Sequence, residues 1–189
     1  MKNLIIHPED TSTDFLKPIY TNANNATIIN NDINKKQLKQ LITEHDRIIM
    51  LGHGSPRGLF SYSNSGFIID DTIVKMLRNK ECISIWCNAD EFMNKHKLNG
   101  FYSGMFISEV NEAHICGLPN ISQETITTSN DYFAKLLGEV INEPLNVINE
   151  HVKINYELLA RSNSIALYNY NRLYLKKYNM RNKKLVRIW

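Results

Sequence analysis

Three features of the 189-residue sequence predict an α/β fold with a mostly parallel central sheet and helices on both faces. Short apolar runs alternate with segments of helical periodicity from end to end, the pattern of strand–helix–strand units. The runs are continuous rather than alternating, as in Arg47-Ile48-Ile49-Met50-Leu51 and Cys82-Ile83-Ser84-Ile85-Trp86, so these strands are covered on both faces. No repeat, low-complexity block or Pro/Ser/Gly-rich linker divides the chain. This places a single domain in residues 1–175 and a basic C-terminal tail in residues 176–189.

The elements follow in order. Residues 4–7 form a buried strand stopped by Pro8. Asp10 to Asp14 offer a helix cap, with Phe15, Leu16 and Ile19 spaced for one face. Residues 27–29 read as a second strand and 34–45 as a helix carrying Leu38, Leu41 and Ile42. The third strand is 47–52. Residues 58–70 carry a hairpin signal around Asn64-Ser65-Gly66. A helix is predicted over 70–79, a fourth strand over 81–87, a partly helical stretch over 92–108 and a fifth strand over 113–116. Helices are predicted over 132–141 and 144–159, the second started by Pro144, and a late strand or hairpin half over 164–175.

Composition narrows the class. With 43% hydrophobic and 22% charged residues, the chain is globular rather than disordered. No apolar run approaches the ~18 residues of a membrane span, so no membrane partner is expected. Met1 to Pro8 has three consecutive apolar positions, too few for a secretory signal. Three cysteines argue against a disulfide framework, and a reduced, cytoplasmic setting is expected. The net charge of +3 is unevenly placed: seven basic residues and no acid lie from Tyr170 onward, leaving the rest net −4. Such a tail permits a nucleic-acid partner, but no recognition motif accompanies it, and a solvated edge is favoured.

In open parallel sheets the chemistry sits beyond the carboxyl ends of the strands. Two of these ends stand out: Gly52-His53-Gly54-Ser55 after the third strand and Trp86-Cys87-Asn88-Ala89-Asp90 after the fourth. A thiol and an imidazole at one edge suit acyl transfer by a thiolate, with the imidazole protonating the leaving amine. Glycine beside the histidine leaves its backbone N–H free to approach an oxyanion.

The succession of strand, His-Gly, hairpin, helix, strand and cysteine resembles the caspase-like cysteine peptidases. Gly52-His53-Gly54-Ser55 and Cys87-Asn88-Ala89-Asp90-Glu91-Phe92 are most similar to the gingipain-type branch. The resemblance implies a caspase-like three-layer sandwich and a cysteine endopeptidase acting on a protein or peptide substrate. It implies His53 as general acid/base, Cys87 as nucleophile, and the N–H groups of Gly54 and Cys87 as the oxyanion hole. The sequence departs from the pattern at bulky Trp86 before the nucleophile and at Ile85, where related peptidases carry an acid.

Trp86 and Asp90 are candidate substrate contacts, and Glu9 and Asp10, which follow the first strand, are candidates for reading a basic P1 side chain. Against these stand plainer roles: Trp86 as core, Asp90 as a first-turn acid. Tyr62 is a further candidate pocket wall, and Cys82 and Cys116 read as core. The odd spacing of Cys82 and Cys87 and the absence of Cys-x-x-Cys argue against a metal site, and no cofactor is expected. Two further readings stay open: an inactive caspase-like interaction module, and a nucleotide-binding domain using residues 52–55 as a phosphate loop. The second is weakened because that loop leads into a hairpin instead of a helix.

Overall fold

The structure, a computed structural model, describes residues 1–31, 33–61, 66–179 and 184–187. Five parallel strands form its centre: β1 (Asn3–Ile6), β2 (Ala26–Ile29), β3 (Arg47–Leu51), β7 (Glu81–Ile85) and β8 (Gly100–Ser103). Two antiparallel strands, β9 (Leu173–Asn179) and β10 (Lys184–Arg187), extend the β8 edge. The order across the seven-stranded sheet is β10-β9-β8-β7-β3-β1-β2. A small antiparallel sheet, β4 (Gly54–Ser55), β5 (Gly58–Ser61) and β6 (Gly66–Ile69), is inserted between β3 and β7.

Alternation along the strands divides the core in two. Ile5, Ile49, Ile83 and Phe101 face a layer made by a 3₁₀ helix (Thr11–Tyr20), α5 (Gln123–Glu139), α6 (Leu145–Ala160) and α7 (Ser164–Tyr170). Leu4, Ile6, Ile48, Met50 and Tyr102 face α1 (Lys35–Glu44), α2 (Val74–Leu77) and α3 (Ala89–His96). The predicted sheet with helices on both faces is the fold observed. From β1 the chain crosses one face to β2, then the other face to β3. The carboxyl ends of β1 and β3 therefore part at a topological switch point, the favoured place for a ligand in such sheets.

Several elements differ from the sequence prediction. The fifth parallel strand is β8, inside the stretch expected to be partly helical. Gly100 is no interruption: a Cβ there would lie 2.3 Å from the Cys82 carbonyl oxygen, so glycine permits β8 to approach β7. Residues 113–116 are not a strand but the end of α4 (Val110–Ile115) and its C-cap; Ile115 is 85% exposed, so the run is not buried. The late strand begins only at Leu173, because Asn163 caps α7 first, its side chain accepting from the Ala166 N–H at 2.9 Å. The helix expected over 70–79 shrinks to α2. The 3₁₀ helix, with Pro18 inside it, replaces the expected first α-helix.

β9 runs across residue 175, and Lys176 pairs with Gly100, so the start of the basic segment is sheet rather than tail. Asn64, Ser65 and Tyr62 lie outside the described residues. Among the described residues, no helix is long and apolar enough to cross a membrane.

Candidate functional site

β1 ends at His7, whose ring is sealed in. It is 3% exposed, with Nδ1 2.9 Å from Tyr20 Oη and Nε2 3.1 Å from Thr13 Oγ1. Asp10 then caps the 3₁₀ helix: its Oδ1 accepts from the Ser12 N–H at 2.9 Å and from Ser12 Oγ at 2.7 Å. β3 ends at Gly52, whose φ of +133° turns the chain so that His53 meets this cap. His53 Nε2 lies 2.6 Å from Ser12 Oγ and 3.7 Å from Asp10 Oδ2. With the Ser12 hydroxyl proton directed to Asp10, Nε2 donates to Ser12 and is occupied. Burial pushes the Asp10 carboxyl up, but the Ser12 hydrogen bonds and the neighbouring His53 outweigh it, and its pKa falls below the ordinary value.

β7 ends beside this cluster. Cys87 lines one narrow cleft with His53, Gly52, Trp86, Phe15 and Phe106, so the sheet brings the thiol and the imidazole to a common edge. The cleft holds about 10 Å³, at most one water, and no substrate enters it. Phe15 and Phe106 stack across it with centroids 6.4 Å apart. The Cys87 sulfur points to two acceptors, Phe106 O and Glu112 Oε1, each at 3.5 Å. Glu112 is held there by α4: its Oε2 accepts from the Ser108 N–H (2.7 Å), Ser108 Oγ (2.9 Å) and the Glu109 N–H (3.2 Å). Burial first, then the Glu112 carboxylate, push the Cys87 thiol up to about 12. A thiolate nucleophile needs the opposite surroundings, electropositive and open.

The expectation of a cysteine endopeptidase, and with it hydrolase and thiol-protease chemistry, is therefore corrected. The assigned dyad has a proton-holding thiol facing a carboxylate, an engaged imidazole and no room for a peptide. The remaining candidates are corrected on similar grounds. Gly54 is glycine because Trp86 lies against it; a Cβ would sit 2.2 Å from Trp86 Cδ1. Trp86 is not a substrate contact but core, 1% exposed, tilted on Phe92 at 5.9 Å and donating from Nε1 to Ser55 O. Asp90 lies toward Gly104, in the field of Lys176 and Arg172, and does not line the cleft. Its carboxyl is raised, chiefly by burial. Glu9 is exposed and engaged through its backbone N–H with Asn30 O. Asp10 is committed to Ser12. Cys82 is fully buried core, and Cys116 is half-buried, its sulfur accepting from Tyr168 Oη at 3.1 Å. Among the described residues no cluster of His, Cys, Asp or Glu could hold a metal.

Next to the closed cleft, an open groove of about 510 Å³ runs between the 3₁₀ helix, α4 and α5. Ser12, Phe15, Ser108, Glu109, Asn130 and Asp131 are among its walls, and no lysine or arginine is among the described residues that line it. Asn130 is 2% exposed, and its Oδ1 meets no hydrogen-bond donor among the described residues. A buried amide oxygen left so costs about 1–3 kcal/mol. Sequence reasoning missed Ser12, Glu112 and Asn130. Asn130 did leave a signal: an amide on the buried face of α5, between Ile126 and Phe133, where the helical stripe calls for an apolar side chain.

His7 gives a measurable consequence. Burial pushes its imidazole down to about 4, with nearby acids only partly opposing this. The folded state keeps it neutral while the unfolded chain protonates near 6.5. Stability is thus intact above pH 6.5 and is lost as the pH falls toward 4, by about 3 kcal/mol from this residue. Urea unfolding at pH 7 and pH 4.5 should show a smaller acid loss in His7→Gln than in the parent. Equal losses in the two proteins would refute the assignment.

No protein-family model matches the chain, and no curated protein matches it. Among solved structures, the chain is similar to a crystal structure described as an NADPH-quinone reductase from P. pentosaceus. That likeness has 19% identity and a TM-score of 0.40, covering 71% of this chain and 98% of the other.

Proposed function

We propose that this domain binds a small ligand carrying a cationic nitrogen, an amine or guanidinium, in the groove beside the switch point. The observation that carries the reading is the sign of the groove's lining: Glu109 and Asp131 stand in its walls with no lysine or arginine among the described residues there. Ser12 and Ser108 stand beside these carboxylates with their hydroxyl protons directed to Asp10 and Glu112, which leaves oxygen lone pairs and no positive charge on that wall. Phe15 offers a face for the alkyl part of such a ligand. The order of elements supports the caspase-like resemblance as a statement of framework, and the proposal adopts it in that sense. Three free cysteines support a reducing, cytoplasmic setting.

Titration calorimetry with agmatine, which carries both an amine and a guanidinium, tests the reading. Saturable binding is expected, weakened about tenfold or more in the double variant Glu109→Gln/Asp131→Asn through loss of both carboxylates. No saturable heat at millimolar agmatine, or equal affinity in Glu109→Gln/Asp131→Asn, would refute it.

A further inference from the structure

The opposite edge of the sheet carries the opposite charge. A groove of about 930 Å³ opens at the amino ends of β7 and β8, between the end of α2, the end of α3, the start of α6 and β9. Its walls include Lys75, Arg78, Lys80, Lys97, Lys176 and Lys177. Glu81 is the one carboxylate among the residues lining it, and Arg47 already holds that group at 2.7 Å. Lys75, Arg78 and Lys177 meet no carboxylate among the described residues. Lys97 lies over the ring of Tyr178, 5.6 Å from its centroid, so a flat aromatic face stands among the cations.

The antiparallel course of β9 creates this arrangement. Lys176 pairs with Gly100 at the start of β8, so Lys176, Lys177 and Tyr178 are carried back to the amino edge. There it joins cations supplied by α2 and by the α3–β8 turn. Residues far apart in the chain thus form one continuous positive wall, which the charge count of the tail alone does not reveal.

We propose that this groove binds single-stranded nucleic acid. Cations spread over several elements match a line of phosphates better than a single anionic group, and Tyr178 offers a surface on which a base stacks. An acidic peptide would use the cations and leave the ring without a role.

Fluorescence anisotropy of a labelled 15-residue oligo(dT) with the full chain tests this. Binding is expected to weaken as salt rises, with a log–log slope of about −0.7 for each phosphate neutralised. The double variant Arg78→Glu/Lys177→Glu should weaken binding about tenfold or more, with its circular dichroism and thermal midpoint unchanged. Tyr178→Leu should weaken oligo(dT) and leave inorganic polyphosphate, which has no bases, unaffected. No binding at 50 mM salt, or equal binding by the double variant, would overturn the proposal. So would polyglutamate binding as tightly as oligo(dT), or Tyr178→Leu leaving both ligands untouched.

Discussion

Arg47→Ala is expected to lower the unfolding free energy by about 3–5 kcal/mol. Arg47 opens β3 and is fully buried. Its Nη1 donates to Ile141 O at 2.6 Å, its Nη2 to Glu143 O at 2.7 Å and Glu81 Oε2 at 2.7 Å, and its Nε to Glu81 Oε2 at 3.2 Å. It thereby ties the start of β3 to the turn between α5 and α6 and to the start of β7. Burying a guanidinium is costly, and only this full set of partners offsets the lost hydration. Alanine leaves two carbonyl oxygens without donors and a cavity where the side chain stood. The Glu81 side chain is 47% exposed and rehydrates, so the pair itself contributes little of the loss. Urea unfolding should therefore rank the variants Glu81→Gln, Arg47→Met and Arg47→Ala in increasing order of damage. A loss under 1 kcal/mol in Arg47→Ala would show that the turn does not depend on this residue.

Cys87 should alkylate about a thousandfold more slowly with iodoacetamide at pH 8 than an unstructured cysteine peptide. Its thiol, pushed up to about 12 by burial and by Glu112, holds about a thousandth of the ordinary thiolate population. Glu112→Gln keeps an acceptor for the Ser108 and Glu109 N–H groups but removes the charge. Labelling of Cys87 in that variant should accelerate, measured by mass spectrometry of the Cys87 peptide. The pH dependence of stability has a matching sign. The folded thiol keeps its proton where the unfolded one loses it near 9, so stability is intact below pH 9 and falls as the pH rises toward 12. Labelling of the native protein as fast as the free peptide would show the sulfur to be open and acidic, contrary to the geometry at α4.

The sheet was legible because its central strands are buried on both faces and so appear as short, mainly apolar runs, β7 carrying one buried polar residue, Ser84. β1, β3 and β7 needed no tertiary knowledge. β8 did: its four residues begin with a glycine, and glycine at a close strand approach looks the same in sequence as glycine at a break. α4 failed in the other direction. Three of the four residues from Ala113 to Cys116 are apolar, and only their place at the end of α4, with Ala113 buried and Ile115 exposed, distinguishes them from a strand.

The amino-acid order was enough to determine that His53 and Cys87 come to one edge, since both follow interior parallel strands. What those groups can do was decided by neighbours distant in the chain. Ser12 occupies the imidazole from 41 residues away, Glu112 faces the thiol from 25, and Phe106 closes the cleft from 19. Strand placement follows from local hydrophobic pattern, which the sequence carries explicitly. Reactivity follows from the dielectric and the charges within a few ångströms, which exist only once the 3₁₀ helix and α4 have packed against the ends of the sheet.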